Sequence, residues 1–226
     1  MKPNTIVLPI RNQDCFEHSN LKTLGKKNLI DYTIESALES KLTKQIIVST
    51  ECPNVRDYIS NRFSLSIASL RPPRLASSDI SLVEVIQYVL KNQIEPKDLN
   101  GTVCLLQISH PFRPSGLVDH VLETFNDGDF DTVFTVFESR HVYWRLAEDG
   151  VLLPLSPQVS RENVRSKRQK IYGQIQGLVT AVNSEIILRD SSLSGRNIGI
   201  VPVPGIMGLI DLQEPYGYEL AKFYIE

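Results

Sequence analysis

Apolar residues fall along this chain in two alternating rhythms. Short, nearly continuous apolar runs such as Thr5–Ile10 (TIVLPI), Gln45–Thr50 (QIIVST) and Thr102–Gln107 (TVCLLQ) are followed by longer segments with apolar positions three and four apart. The first long segment, Asn28–Ser40, sets Leu29, Ile30, Ile34, Ala37 and Leu38 on one helical face. The pattern predicts further strands at Leu65–Ser69, Thr132–Phe137, Gly177–Asn183 and Ile198–Val203. It predicts further helices at Asn54–Arg62, Ser81–Lys91, Ser115–Asn126 and Glu214–Tyr224. Strands that are apolar throughout are buried on both faces, and strand–helix alternation favours parallel strands joined by right-handed crossovers. The expected architecture is α/β, a mostly parallel sheet with helices on both faces.

The rhythm stops after Phe137. Tyr143–Leu155 carries Asp149-Gly150 between two apolar stretches, a strong hairpin signal. Arg161–Lys170 (RENVRSKRQK) is a basic run that cannot build a core. Residues 138–176 therefore read as an excursion from one domain that spans 1–226.

Composition narrows the function classes. The chain has 226 residues, with 24 Lys+Arg against 26 Asp+Glu, and a balance this near neutral argues against a nucleic-acid partner. No apolar run approaches the roughly 20 residues of a membrane span, and the start lacks a secretory pattern, so the expected location is cytoplasmic. The cysteines Cys15, Cys52 and Cys104 form no CxxC and suit a reducing compartment. The four histidines lack paired-ligand spacing, which argues against zinc, and Ser109 has no G-x-S-x-G context, which argues against a serine hydrolase.

In an open α/β sheet the ligand lies beyond the carboxyl ends of the strands. The segments there begin at Arg11, at Arg71 (RPPRLASSDIS) and at Gln107 (QISHPFR), with IDLQE before the last helix. Their guanidinium, amide, hydroxyl and carboxylate groups suit phosphate and a heterocyclic base. The plain structural readings are a strand-end cap for Arg11, a rigid turn for Arg71-Pro72-Pro73 and a helix N-cap for Asp211. Arg113 is a substrate ligand or part of a structural ion pair.

In TIVLPIR, NLIDYTIESALES, LRPPRLASSD, VCLLQISHPFR and IDLQEPYGYELA, in that order, the chain resembles the acylneuraminate cytidylyltransferases, the CMP-sugar synthetases. The resemblance covers nearly the whole length. It implies a Rossmann-like, three-layer nucleotidyltransferase fold with residues 138–176 as a dimerisation arm, and hence a homodimer. It also implies attack of an acidic sugar's anomeric hydroxyl on the α-phosphorus of CTP, with pyrophosphate leaving and Mg2+ as cofactor. By the same resemblance Arg11, Asn20, Arg71 and Ser81 contact the nucleotide, and Gln107, Arg165, Arg168, Tyr172 and Gln176 contact the sugar; Lys22 or the arm arginines would meet the phosphate charge in place of the usual loop lysines. Asp211 holds the metal. The chain departs from the family pattern where lysines are usual in the nucleotide loop, with Ser19 in place of one and Asp14 and Glu17 nearby. The carboxylate pair usual before the last helix reads Leu209-Ile210-Asp211. A catalytically silent homologue, binding nucleotide or sugar or serving as a dimeric partner, is the alternative.

Overall fold

A computed structural model of the chain describes residues 3–11, 22–63, 65, 70–156 and 161–225. In chain order its elements are β1 (Asn4–Ile10), β2 (Thr23–Leu24), β3 (Lys27–Asn28), α1 (Leu29–Glu39), β4 (Gln45–Thr50) and α2 (Pro53–Phe63). Then come α3 (Leu82–Gln93), β5 (Thr102–Leu105), α4 (Leu117–Asp127), β6 (Thr132–Ser139), β7 (Trp144–Leu146) and β8 (Leu152–Pro154). The chain closes through β9 (Ile171–Gln174), β10 (Thr180–Asn183), α5 (Ser184–Asp190), β11 (Ile198–Pro202) and α6 (Gly217–Ile225). The strand predicted over Leu65–Ser69 lies outside the described residues apart from Leu65.

The main sheet runs β11-β6-β10-β5-β1-β4, with β9 continuing along β6. Its outer parts are parallel as the alternation predicts: β1 with β4 and β5, and β6 with β11. Side-chain alternation along β1 divides its residues between two cores. Ile6, Leu8 and Ile10 pack with residues of α1, α2 and α4, whereas Val7 packs with Val103, Leu105 and Val182 beneath α3 and α5. Burial on both faces explains why the run is continuously apolar.

The Gly177–Asn183 segment departs from the expected parallel course. The strand begins at Thr180, and β10 is antiparallel to both its neighbours. Among the described residues no crossover helix turns the chain round after the excursion. It returns down the strand it left by, β9 pairing with residues 136–139 of β6 and β10 with residues 132–134.

Between those two pairings, residues 175–179 all fall opposite Thr135. The Ile175 N–H donates to the Thr135 carbonyl at 2.9 Å, and the Thr135 N–H donates to the Val179 carbonyl at 3.1 Å. The Thr135 hydroxyl reaches the carbonyls of both Ile175 and Val179. The ladder therefore closes on either side of an extruded loop, a large relative of the β-bulge.

The hairpin forms as its sequence predicts, from β7 and β8. Asp149 accepts the Val151 N–H at 3.1 Å, and Gly150 takes φ +81°, where a side chain would be strained. Trp144, Leu146, Val151, Leu152 and Leu155 are exposed on it.

Candidate functional site

Because β1, β4 and β5 are parallel, their carboxyl ends share one edge of the sheet; β10, running the other way, starts there. Three adjoining recesses occupy that edge. The first, about 210 Å³, sets Arg11, Arg71, Gln107, Ser109, Gln176 and Gln213 against Pro9, Leu75, Ile80, Leu82, Val85 and Ile108. The second, also about 210 Å³, is lined by amides, hydroxyls and apolar groups with no charged side chain, including Gln107, Gln174, Gln176, Thr180 and Ser192. The third, about 530 Å³, contains His110, Asp211, Gln213, Glu214 and Gln176. Gln176, at the head of the extruded loop, borders all three.

Backbone ties lace the lips of this cleft together. The Gln107 N–H donates to the Gly177 carbonyl at 2.8 Å, and the Leu212 N–H donates to the Ser109 carbonyl at 2.9 Å. Gly177 has φ +94°, and a Cβ there would sit 2.8 Å from Gln107 Cδ, so both backbone and space call for glycine. Beneath the loop lies Arg113, whose sequence left two roles open. Its Nε donates to the Leu178 carbonyl at 2.7 Å, and Nη1 donates to the His110 carbonyl and to Thr33 Oγ1, each at 2.8 Å. Nη2 donates to the carbonyls of Gln107 and Gly177. Every N–H of a guanidinium is thereby used. Its role is structural, but through carbonyls rather than an ion pair, and burial without a carboxylate pulls its pKa down to about 9.

The residues picked out in the sequence divide into two groups. Arg11, Arg71, Gln107 and Gln176 meet in the first recess, and Asp211 lies in the third, which adjoins it through Gln176 and Gln213. Arg71 is 1% exposed; it donates to Glu51 at 2.6 Å and to the carbonyls of Ile10 and Ser49, while its Nε has no partner. The Asp211 side chain is 22% exposed, and its Oδ1 accepts the Gln213 N–H at 2.9 Å in a local turn. It does not cap α6, which begins at Gly217.

The second group lines none of the three recesses. Lys22 Nζ stands 3.8 Å above the Tyr218 ring, and Ser81 caps α3 in a reciprocal pair with Glu84. Arg168 donates to the carbonyls of Glu162 and Arg140, and Arg165 lies 3.3 Å from His141 Nε2, all within the arm. Tyr172 is 43% exposed on β9. Asn20, and with it Asp14, Glu17 and Ser19, lies outside the described residues.

Ser109, His110 and Gln213 border the cleft although nothing in the sequence marked them as ligands. The available signal was their place directly after β5 and directly before α6. His110 is buried; its Nε2 lies 2.8 Å from the Gln176 carbonyl and 3.6 Å from Asp211 Oδ2. Burial pulls its pKa below 6.5, outweighing the opposite pull of Asp211. Among the described residues no three metal-capable side chains cluster. Magnesium bound through substrate phosphates needs only one or two protein carboxylates, which Asp211, with Glu214 in the same recess, can provide. No helix among the described residues is long and apolar enough to cross a membrane.

The chain is similar in sequence and in fold to known proteins. The N-acylneuraminate cytidylyltransferase of Streptococcus agalactiae is 25% identical over 197 residues, covering 85% of this chain, which spans only 46% of that relative's length. The CMP-N,N'-diacetyllegionaminic acid synthase of Legionella pneumophila is 22% identical over 208 residues, covering 92% of this chain and 89% of its own. A solved CMP:2-keto-3-deoxy-manno-octonic acid synthetase, complexed with CTP, shares the fold with a TM-score of 0.65 at 15% identity, covering 92% of this chain and 94% of that one. The family model for cytidylyltransferases matches residues 16–187, a stretch holding Arg71, the end of β5 and the extruded loop, and so the chain belongs to the cytidylyltransferase family.

Proposed function

We propose that the chain transfers CMP from CTP to the anomeric hydroxyl of a sialic-acid-like nonulosonic acid, or a related 3-deoxy-ulosonic acid, releasing pyrophosphate. The observation that carries this reading is the meeting of two arginines and a carboxylate around Gln176 at the sheet edge. In the reaction the sugar oxygen bonds to the α-phosphorus as the bond to pyrophosphate breaks. Positioning and neutralisation of developing charge supply most of the rate. Arg11 brings positive charge to the nucleotide recess, Arg71 lines it while paired with Glu51, and Gln107 and Gln176 offer amides to the acceptor. A magnesium ion held by Asp211 would polarise the phosphate.

The acceptor's own carboxylate needs a counter-charge. Arg165 and Arg168 line none of the recesses of their own protomer, and the exposed apolar hairpin beside them suits a second copy of the chain. A homodimer covering β7 and β8 accounts for both. Sedimentation is expected to show two protomers, falling to one in the doubly substituted Leu152→Glu, Leu155→Glu protein. A single-protomer mass for the parent rejects the dimer.

The activity test incubates purified protein with CTP, Mg2+ and a panel of eight- and nine-carbon ulosonic acids, and measures pyrophosphate. Release with at least one acid is expected. No release together with no thermal shift by CTP removes the reading. A thermal shift without release replaces it with a silent nucleotide-binding homologue.

A further inference from the structure

We propose that His110 is a positioning residue of this cleft, holding the Gln176 main chain at a set distance from the Asp211 carboxylate and so fixing the gap in which acceptor and nucleotide meet. The inference rests on the transfer reaction proposed above and adds a residue to it. The ring borders the third recess but at 2% exposure offers it almost no surface, so its main part is exerted through its neighbours.

The tautomer follows from the partner. A carbonyl only accepts, so the nitrogen 2.8 Å from the Gln176 oxygen carries the hydrogen, and Nε2–H is the donor. That same nitrogen faces Asp211 Oδ2 at 3.6 Å, too far for a hydrogen bond, which leaves Oδ2 available to the cleft while Oδ1 is held by Gln213. The other ring nitrogen, Nδ1, is buried and makes no hydrogen bond of normal geometry, although the Ile210 main chain beside Asp211 also acts on the ring. An orphaned polar atom is a cost that an apolar side chain of the same shape would avoid. The Nε2 contact gives the imidazole a reason to be there.

The backbone ties described above each join the β5 loop to one lip: Gln107 to Gly177, and Ser109 to Leu212. His110 differs in facing both lips with one atom. Gln176 belongs to the extruded loop and Asp211 to the segment before α6; these are separate stretches of chain with no strand pairing between them. The buried ring, bonded to the Gln176 carbonyl and lying 3.6 Å from Asp211, acts as a spacer that limits how closely the two stretches approach, and small misplacements of positioning groups are costly in transfer reactions.

Two substitutions separate positioning from packing. His110→Gln places an amide nitrogen at nearly the reach of Nε2, whereas His110→Phe fills the space without a donor. The phenylalanine variant is expected to lose about tenfold or more in kcat/KM for the acidic acceptor, with KM for CTP changed less than about threefold. The glutamine variant is expected to recover to within about threefold of the parent. Amide hydrogen exchange over residues 176–178 is expected to quicken in the phenylalanine variant and not in the glutamine variant. Should the phenylalanine variant fail to fold, His110→Asn, whose amide falls short of the Gln176 carbonyl, takes its place with the same expected loss.

The proposal is overturned if the phenylalanine variant keeps the parental acceptor KM and exchange, or if the glutamine variant is impaired as deeply as the phenylalanine one. A parent that releases no pyrophosphate removes the reaction and the acceptor role with it. The exchange contrast needs no turnover and decides separately whether His110 holds the loop.

Discussion

Arg113→Ala is expected to cost the protein at least about 4 kcal/mol of stability, a large share of the roughly 5–15 kcal/mol that folded domains possess. The guanidinium spends its donors on four main-chain carbonyls and the Thr33 hydroxyl, drawn from the β5 loop, the extruded loop and α1. Truncation strands the Leu178 and His110 carbonyls in the interior at about 1–3 kcal/mol each where water cannot enter, and leaves those of Gly177 and Gln107 with only the N–H groups of Gln107 and His110. For a chain of this length that corresponds to a fall in melting temperature of roughly 10 °C or more. Arg113→Lys keeps the charge but offers fewer donors without the planar fork, and is expected to fall between parent and alanine variant. Thermal unfolding followed by circular dichroism checks the series. An alanine variant melting within about 3 °C of the parent would falsify the clamp.

Asp211→Asn is expected to act in the opposite way, leaving the fold and removing the reaction. Asparagine has the same shape, and its side-chain oxygen still accepts the Gln213 N–H, so the local turn survives. What goes is the negative charge in the third recess. If that carboxylate serves the transfer as proposed, turnover falls by about 10²–10³ with the melting temperature nearly unchanged. The check is pyrophosphate release at saturating CTP alongside a melting curve. Turnover within about fivefold of the parent removes Asp211 from the chemistry. A collapse of the melt instead makes it a structural residue.

The elements that build the two cores are legible in the chain because double burial leaves an unmistakable mark. TIVLPI and QIIVST have no polar face to interrupt them, and the amphipathic repeats of α1, α3 and α4 fall within one or two residues of their observed limits. The strand-end rule likewise brings Arg11, Arg71 and Gln107 to one recess, where Gln176, singled out by the family resemblance, joins them. Other features are set by partners remote in sequence. The direction of β10 depends on β6, nearly 50 positions earlier, and local apolar pattern is blind to it. Lys22 is occupied by Tyr218 near the other end of the chain. Arg113 resembles any arginine near a helix start until its acceptors assemble around it. A strand-like Gly177–Asn183 conceals that its first three residues are loop, because the signal for extrusion is two carbonyls shared by the distant Thr135.

That sharing has an evolutionary corollary. Since Ile175 and Val179 both answer Thr135, the residues between them are exempt from the register that binds their neighbours. Exchanging the Gln176 side chain changes what all three recesses present without forcing β9 or β10 to slip, while Gly177 and the buried Leu178 keep the loop in place. Selection can thus alter the cleft at one position while the inherited scaffold stays intact.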